Sequence, residues 1–342
     1  MNKVNVLVTG AGGIGHGSSI LKALLVSRLD FNIIVADANP RLLNTANVEI
    51  KELIPIASDL RYMESIITLV KKYSIDCIFT GSEQELMKLT EYKKEIEKYT
   101  KIFLNNKNVV DLCKNKILCN NKLDELGFNT PKSISVKYID DVDKISSFPI
   151  VLKPNFDSGA SANLYVAKSR DELFFMVTYL LSQKIDIIAQ EYMEFNQNEY
   201  TVGIDSDLET GEIVGSIAMR KFLEGVSILA MPKDIVISSG VSQGEFKDFS
   251  NVKRACEEIA KGIGSTGPLN VQLRVINGKV QPFEINPRFS GTTSARAYTG
   301  YNQPEYYIRK YVLNDRDAKT SLNQLTEGYV VKGLDEKFVN YG

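Results

Sequence analysis

The stretch VTGAGGIGHGSSI, residues 8–20, sets a glycine-rich turn directly between an apolar run and a helix-forming one. No other feature narrows the fold as much. Val4–Thr9 reads as a strand buried on both faces, Ser18–Arg28 as a helix, and Asn32–Ala36 as a second strand ending at Asp37. Strand, turn, helix and strand in that order predict a parallel sheet with right-handed crossovers. The helix Tyr62–Lys72 and a third strand, Ile75–Phe79, continue the alternation, and this α/β unit is expected to end near residue 105.

Gly10, Gly12 and Gly15 satisfy G-x-G-x-x-G, and Asp37 ends the next strand where a ribose-binding acid would stand. Taken alone, the turn suits an NAD-dependent oxidoreductase or epimerase. The proton-transfer group for that chemistry is missing. The one histidine, His16, lies inside the turn. Tyr306 and Lys310 have the Tyr-x-x-x-Lys spacing of short-chain reductases, but so far beyond the turn that the match is read as chance. A phosphate loop of the nucleotide-hydrolase type is excluded, because Gly12-x4-Gly17 is followed by Ser18-Ser19 and no lysine.

At 342 residues the chain is long for one core, so two or three packed units are expected. A net charge of −1 without a long basic run argues against nucleic acid and anionic membranes as partners. No apolar run approaches the roughly 20 residues of a membrane helix. The N-terminus reads as a strand breaking into glycines rather than as a secretory segment. Cys77, Cys113, Cys119 and Cys256 show no C-x-x-C spacing, which fits reduced thiols and a cytoplasmic location. One histidine and scattered cysteines make a zinc site improbable.

Asp111–Leu126 reads as a helix stopping at Gly127, before the break Asn129-Thr130-Pro131. Strands are then expected at Ile150–Lys153, Leu164–Ala167, Ile187–Gln190, Tyr200–Asp205 and Ile213–Arg220, with helices at Asp171–Leu181 and Val252–Gly262. Strands and helices no longer alternate regularly, so this part reads as α+β.

The chemistry concentrates in GPLNVQLRVINGKVQPFEINPRFSGT, residues 267–292. Asn277-Gly278 marks a hairpin. Asn270, Gln272 and Arg274 alternate with apolar residues on one side of it, and Glu284 and Asn286 flank Ile285 on the other. A three-residue loop, Asn277–Lys279, sets Gln272 opposite Glu284, Asn270 opposite Asn286, Val271 against Ile285 and Leu273 against Phe283. A two-residue loop would instead put Glu284 against Val271 and mix the faces. Pro282 cannot donate to the ladder and is expected at an edge or a bulge. Such a row of oxygens beside Arg288 suits a hard cation bridging phosphates; the alternative is an amphipathic hairpin with one solvated face.

N-V-Q followed by F-E-I-N-P-R resembles the metal-binding hairpin of the ATP-grasp superfamily, in the flavour of the carbamoyl-phosphate-synthase large chain, where the first metal ligand can be Gln. The resemblance implies Gln272, Glu284 and Asn286 as ligands of Mg²⁺, or of Mn²⁺ in its place. It extends in order along the chain. Lys153, ending FPIVLKP, resembles the phosphate-contacting lysine, and Lys116 a second phosphate-binding base. Phe156–Ser161, with Ser158, Gly159 and Ser161, resembles the loop over the triphosphate. IIAQEYM resembles the hinge strand, which implies Gln190 on the adenine amine, Glu191, Tyr192 and Met193 beside it, and Glu199 on the ribose. Arg220 matches an arginine near the transferred phosphoryl, and Arg288 completes the catalytic pair.

The implied architecture mixes α/β and α+β. A Rossmann-like pre-ATP-grasp domain (1–105) precedes a two-lobed ATP-grasp fold, with an N-terminal lobe (106–185) and a C-terminal lobe carrying the hairpin (186–342). The implied activity is that of an ATP-dependent ligase joining a carboxylate to an amine or thiol through an acyl phosphate, forming a C–N bond in the amine case. Small-molecule substrates and, because related ligases are often dimers, a homodimer are expected. Gly12, His16, Ser290, Gly291 and Arg296 are candidates for holding the acceptor, Arg296 being equally readable as a helix-surface residue. The chain holds one ATP-grasp unit where carbamoyl-phosphate-synthase large chains fuse two, and nothing in it resembles a glutaminase. Two other readings stay open: the NAD enzyme above, and a non-catalytic nucleotide-binding sensor.

Overall fold

A computed structural model describes residues 3–156, 164–193, 198–230, 235–240, 242–320 and 325–333. The N-terminal part alternates β1 (Val4–Thr9), α1 (His16–Leu25), β2 (Phe31–Asp37), α2 (Pro40–Leu43), β3 (Ile50–Leu53), α3 (Tyr62–Lys72), β4 (Cys77–Phe79), α4 (Glu83–Glu91), α5 (Lys93–Ile96) and β5 (Lys101–Ile102). Its strands form one parallel sheet in the order β3-β2-β1-β4-β5. Along β1, Val4, Val6 and Val8 enter one core cluster and Leu7 another, so both faces are covered. This is why the run is apolar throughout rather than alternating.

The elements differ from expectation in several places. β3 was not anticipated: it is an edge strand, IKEL, half-exposed and without an apolar run. The strand expected from Ile75 begins at Cys77, after the left-handed backbone of Ser74. α1 begins at His16, not Ser18, and its Gly17 passes so close to the turn that an added Cβ would lie 2.3 Å from the Gly10 carbonyl oxygen.

Behind the turn lies Glu85, 6% exposed, accepting hydrogen bonds from Ser82 Oγ at 2.9 Å and Tyr62 OH at 3.1 Å. Burial is the main reason that its pKa is pushed up to about 7. A carboxyl raised in the folded state favours folding below its unfolded pKa, and that contribution is lost as pH rises through about 7. Glu85→Gln mimics the neutral acid. It is expected to gain stability over the wild type between pH 5 and 8, by up to about 3 kcal/mol. Denaturant unfolding across that range checks this; parallel pH profiles for the two proteins would refute it.

Next come α6 (Lys107–Lys114), α7 (Lys116–Glu125), β6 (Ser133–Val136), β7 (Ile150–Pro154), β8 (Tyr165–Ala167), α8 (Arg170–Ser182) and β9 (Ile187–Glu191). The single helix expected over Asp111–Leu126 is two helices, broken at Asn115. That residue is extended, bridges to Phe156, and caps α7 by accepting from the Leu118 N–H at 3.1 Å. The break sets Lys116 on the first residue of α7. The strands form an antiparallel sheet, β6-β9-β7-β8, with α8 packed on it.

The remaining elements are β10 (Glu199–Ser206), β11 (Ile213–Lys221), β12 (Ile228–Ala230), β13 (Ile237–Ser238), β14 (Gly244–Phe246), α9 (Ser250–Ile263), β15 (Pro268–Ile276), β16 (Lys279–Asn286), α10 (Thr293–Tyr298), α11 (Gln303–Tyr311) and β17 (Gly328–Val330). An antiparallel sheet runs β16-β15-β10-β11-β14-β17, and α9 covers the face built from Tyr200, Val202, Ile204 and Val271.

The hairpin β15–β16 corrects one expectation while keeping its consequence. Asn270 pairs with Asn286, Val271 with Ile285 and Gln272 with Glu284. The loop, however, has two residues, Asn277 and Gly278, both at positive φ as a type I′ turn requires. The extra residue is Phe283, in a β-bulge between the Gln272 and Leu273 positions, so Pro282 rather than Phe283 opposes Leu273. Pro282 sits next to that bulge on the edge strand β16, where its missing N–H costs no ladder bond.

The chain after the hairpin packs back on the parallel sheet. Phe289 meets Phe79 and Tyr307, and Tyr307 meets Phe103. Tyr306 is buried in the same cluster and Lys310 pairs with Asp207, so the Tyr-x-x-x-Lys spacing belongs to helix packing. Among the described residues no helix is long and apolar enough to cross a membrane.

Candidate active site

A cleft of about 230 Å³ opens between the sheet β6-β9-β7-β8 and the sheet carrying the hairpin. One wall holds Lys153 at the end of β7 and Gln190 to Met193 at the end of β9. The other holds Glu199, Gln272, Arg274, Glu284 and Asn286. Lys116, Arg288 and Glu83 close its end. Strand alternation explains the second wall: Glu199 lies across from Arg274, and Gln272 from Glu284, so these residues share one face.

Five side chains on that face form a continuous polar chain. Arg274 donates to Glu199 Oε2 through Nε at 3.1 Å and Nη2 at 3.0 Å. Lys221 Nζ donates to Glu199 Oε1 at 3.0 Å and to Gln272 Oε1 at 2.9 Å. Gln272 Nε2 then donates to Glu284 Oε2 at 2.5 Å. The Lys221 and Glu199 side chains are 1% and 0% exposed. Burial alone would push the Glu199 carboxyl up, but Lys221 and then Arg274 outweigh it and hold the carboxyl below its ordinary value.

The end of β9 and the residues after it are held by Gln190 Nε2 donating to Ser133 Oγ at 2.9 Å, and by Arg274 Nη1 donating to the Met193 carbonyl. Tyr192 OH accepts from the Val236 N–H at 2.9 Å, tying the chain after β9 to the segment before β13. At the opposite end, Arg288 forms an ion pair with Glu83, the first residue of α4, across 205 positions of sequence. Burial first and the charge of Arg288 second push the His16 pKa well below the ordinary value, and its Nε2 is buried without a hydrogen bond among the described residues.

Comparison with known proteins fits this geometry. Residues 186–336 match the family described as "ATP-grasp in the biosynthetic pathway with Ter operon". The carbamoyl phosphate synthase large chain of Clostridium botulinum (strain Eklund 17B / Type B) is 22% identical over 323 residues, covering 85% of this chain. This chain carries an ATP-grasp domain. It spans about a quarter, 27%, of the length of that relative. Among solved structures, an L-amino acid ligase from Bacillus licheniformis superposes with a TM-score of 0.66 at 16% identity, over 91% of this chain and 75% of the other. The ADP complex of an N5-carboxyaminoimidazole ribonucleotide synthetase gives a TM-score of 0.67 at 14% identity, over 95% and 80%.

The ATP-grasp fold gathers Lys116, Lys153, Gln190, Glu191, Tyr192, Met193, Glu199, Gln272, Glu284, Asn286 and Arg288 around one cleft. Ser158, Gly159 and Ser161 lie outside the described residues. Arg220 requires correction. It neighbours Tyr200 on the α9 face of the sheet and pairs with Glu245, whereas Lys221, one residue on, points to the cleft side. One step along a strand reverses the face.

Arg296 also departs from expectation. It is 0% exposed, donating to Gln303 Oε1 at 2.9 Å and Asn270 Oδ1 at 2.6 Å, in a cluster with buried Asp205 rather than on a substrate-facing surface. Ser290 and Gly291 serve as joints. Ser290 Oγ accepts from the Thr292 N–H at 3.0 Å, and the Gly291 carbonyl accepts from Ser19 Oγ, also at 3.0 Å. Gly12 donates its N–H to Asp37 Oδ2 at 2.8 Å, and an added Cβ there would lie 2.7 Å from Leu42. The close approach that this glycine permits is therefore to the chain itself.

Sequence reasoning assigned no role to Lys221, Arg274 or Glu83. The alternation of Arg274 with Gln272 on the hairpin strand was a usable signal. Glu83 had none, because its partner is distant in the chain.

Proposed function

We propose that the chain is an ATP-dependent ligase that joins a carboxylate to an amine or a similar nucleophile. The observation that carries this is one cleft lined both by the oxygen-bearing side chains of Gln272, Glu284 and Asn286 and by the cations Lys116, Lys153 and Arg288. In this reading residues 1–105 are a Rossmann-like pre-ATP-grasp domain, 106–185 the first lobe and 186–342 the second, as the parallel order β3-β2-β1-β4-β5 supports.

The hinge residues Gln190 to Met193 hold the adenine, and Glu199 stands at the ribose end. Lys116, Lys153 and Arg288 neutralise phosphate oxygens, with Lys221 supplying positive charge behind Gln272. The donor set is all oxygen with a single carboxylate, which fits Mg²⁺ arriving with the nucleotide better than a site binding the bare ion. When bound, the cation would screen the phosphates and polarise the transferred phosphoryl.

A substrate carboxylate oxygen attacks the γ-phosphorus as the bond to ADP breaks, giving an acyl phosphate. The amine nitrogen then attacks the acyl carbon, the C–O bond to phosphate breaks, phosphate leaves with the electron pair, and the amine proton is lost. His16, with its buried Nε2 unpaired among the described residues, meets the acceptor's anionic end beside the glycine turn in this reading. An ADP-release screen of carboxylate–amine pairs, with mass detection of product, is expected to find turnover that needs both substrates. Binding of NAD(H) without MgATP in calorimetry, or MgATP binding with no ADP from any pair, would overturn the reading.

A further inference from the structure

A second cavity, of about 420 Å³, adjoins the first. Glu83 lines both, and Pro287, which lines the second, stands between the cleft residues Asn286 and Arg288. Its remaining wall comes from α4, α6 and the segment before α3, with Leu86, Met87 and Val110 as apolar surface and Lys88 and Lys114 as cations. Lys88 lies 5.0 Å from the ring of Tyr92, and neither lysine is in an ion pair among the described residues.

We infer that this cavity seats the nucleophile, and that the nucleophile is an amine carrying an anionic group at the far end of a short apolar chain, such as an ω-amino acid. The inference rests on the ligase reading above. The polarity of the cavity carries it. Its wall toward the nucleotide cleft is anionic at Glu83, which selects an ammonium for the end that must reach the acyl phosphate. Lys88 stands five residues further along α4, roughly 7–8 Å away at the helical rise. Between these charges Leu86, Met87, Val110, Ala57 and Pro287 outnumber the polar Gln84 and Ser58, so the substrate's middle is mainly hydrocarbon. Glu91 also lines the cavity at its outer end. That carboxylate disfavours the substrate's anionic group less than Lys88 and Lys114 together favour it, since two cations face one acid.

The Glu83–Arg288 pair stands at the junction of the two cavities. While the site is empty each neutralises the other. Arg288 turning to phosphate oxygens releases Glu83 for the incoming ammonium, so the amine subsite completes itself only once the nucleotide side is filled.

Saturation-transfer NMR on the full chain with saturating MgADP tests this, using 4-aminobutyrate and 5-aminovalerate against n-butylamine and butyrate. The ω-amino acids are expected to bind at least ten-fold more tightly than either half-molecule. Lys88→Ala with Lys114→Ala is expected to weaken them at least ten-fold while MgADP affinity stays within two-fold. Glu83→Gln is expected to weaken the ω-amino acids and n-butylamine but not butyrate. No transfer to either ω-amino acid, or equal binding by the double variant, overturns the inference. Failure of the wild type to bind MgADP or MgATP instead overturns the ligase reading, and this inference with it.

Discussion

Glu284→Ala is expected to abolish ADP release in every substrate mixture while leaving the protein folded. Glu284 is the single carboxylate among the three hairpin oxygens, so its removal takes away the only formal negative charge that meets a nucleotide-borne cation there. Loss of one preorganised charge at a phosphoryl centre lowers turnover by about 10³-fold or more. Stability should hardly change. Glu284 is half-buried on the cleft wall, and the hydrogen bond lost to Gln272 leaves an amide that solvent can reach, at a cost of about 1 kcal/mol. Circular dichroism with an ADP-release assay separates the two effects. Undiminished turnover by a folded Glu284→Ala protein would sink the ligase reading, and Glu284→Gln should resemble Ala in rate because the charge, not the shape, is what matters.

Glu199→Ala has the largest expected effect on stability. Glu199 is 0% exposed and compensates Lys221 and Arg274, whose side chains are 1% and 7% exposed. Removing it leaves two buried cations facing each other, which costs about 3–5 kcal/mol, a large part of the roughly 5–15 kcal/mol that holds a protein folded. The pH dependence follows from the direction of its shift. A carboxyl held below its ordinary value contributes stability that is present above the unfolded pKa and is lost as pH falls through the lower folded value. The wild type should therefore lose this contribution only below about pH 4.5. Glu199→Gln should already lack it at pH 7 and show a flatter acid limb. Denaturant melts at pH 7 and at pH 4 read both. Replacing Lys221, Glu199 and Arg274 together by apolar residues of similar size should restore much of the stability without restoring nucleotide binding, because the polar groups would vanish as a set. Equal stability of Glu199→Ala and wild type at pH 7 would contradict the burial of this triad.

The register of the hairpin illustrates how much a sequence can carry and where it stops. The pairings Asn270–Asn286 and Gln272–Glu284 followed from alternation alone, because a one-residue slip would have put Glu284 on the apolar face. The route to that register was different: a tighter turn and a bulge at Phe283 sum to the same offset as a longer loop. Alternation constrains the offset between two strands and is silent on where along them an extra residue is absorbed. The bulge also brings Phe283 to the cleft wall, where a regular ladder would have kept it in the core.

Arg220 and Lys221 mark the opposite limit. Both are long cations at the end of one strand, and their order says nothing of which faces the cleft; the pairing of Tyr200 with Arg220 decides it. Arg296 and Glu83 are further still from local inference. A helical arginine becomes a core residue because Asn270, Gln303 and Asp205 converge on it from other elements, and a glutamate in the first turn of α4 becomes a wall of the site because Arg288 reaches it.

By itself, the sequence determined the parallel character of the first unit's sheet and the hairpin with its oxygen-bearing face. These depend on periodicity and turn chemistry, which act over a few residues. Only the tertiary structure decided which cations face the nucleotide cleft, that Glu199 is locked between Lys221 and Arg274, and that the glycine turn closes on Asp37 and Leu42. Burial and charge pairing are sums over neighbours brought from distant parts of the chain, and local pattern carries no record of them.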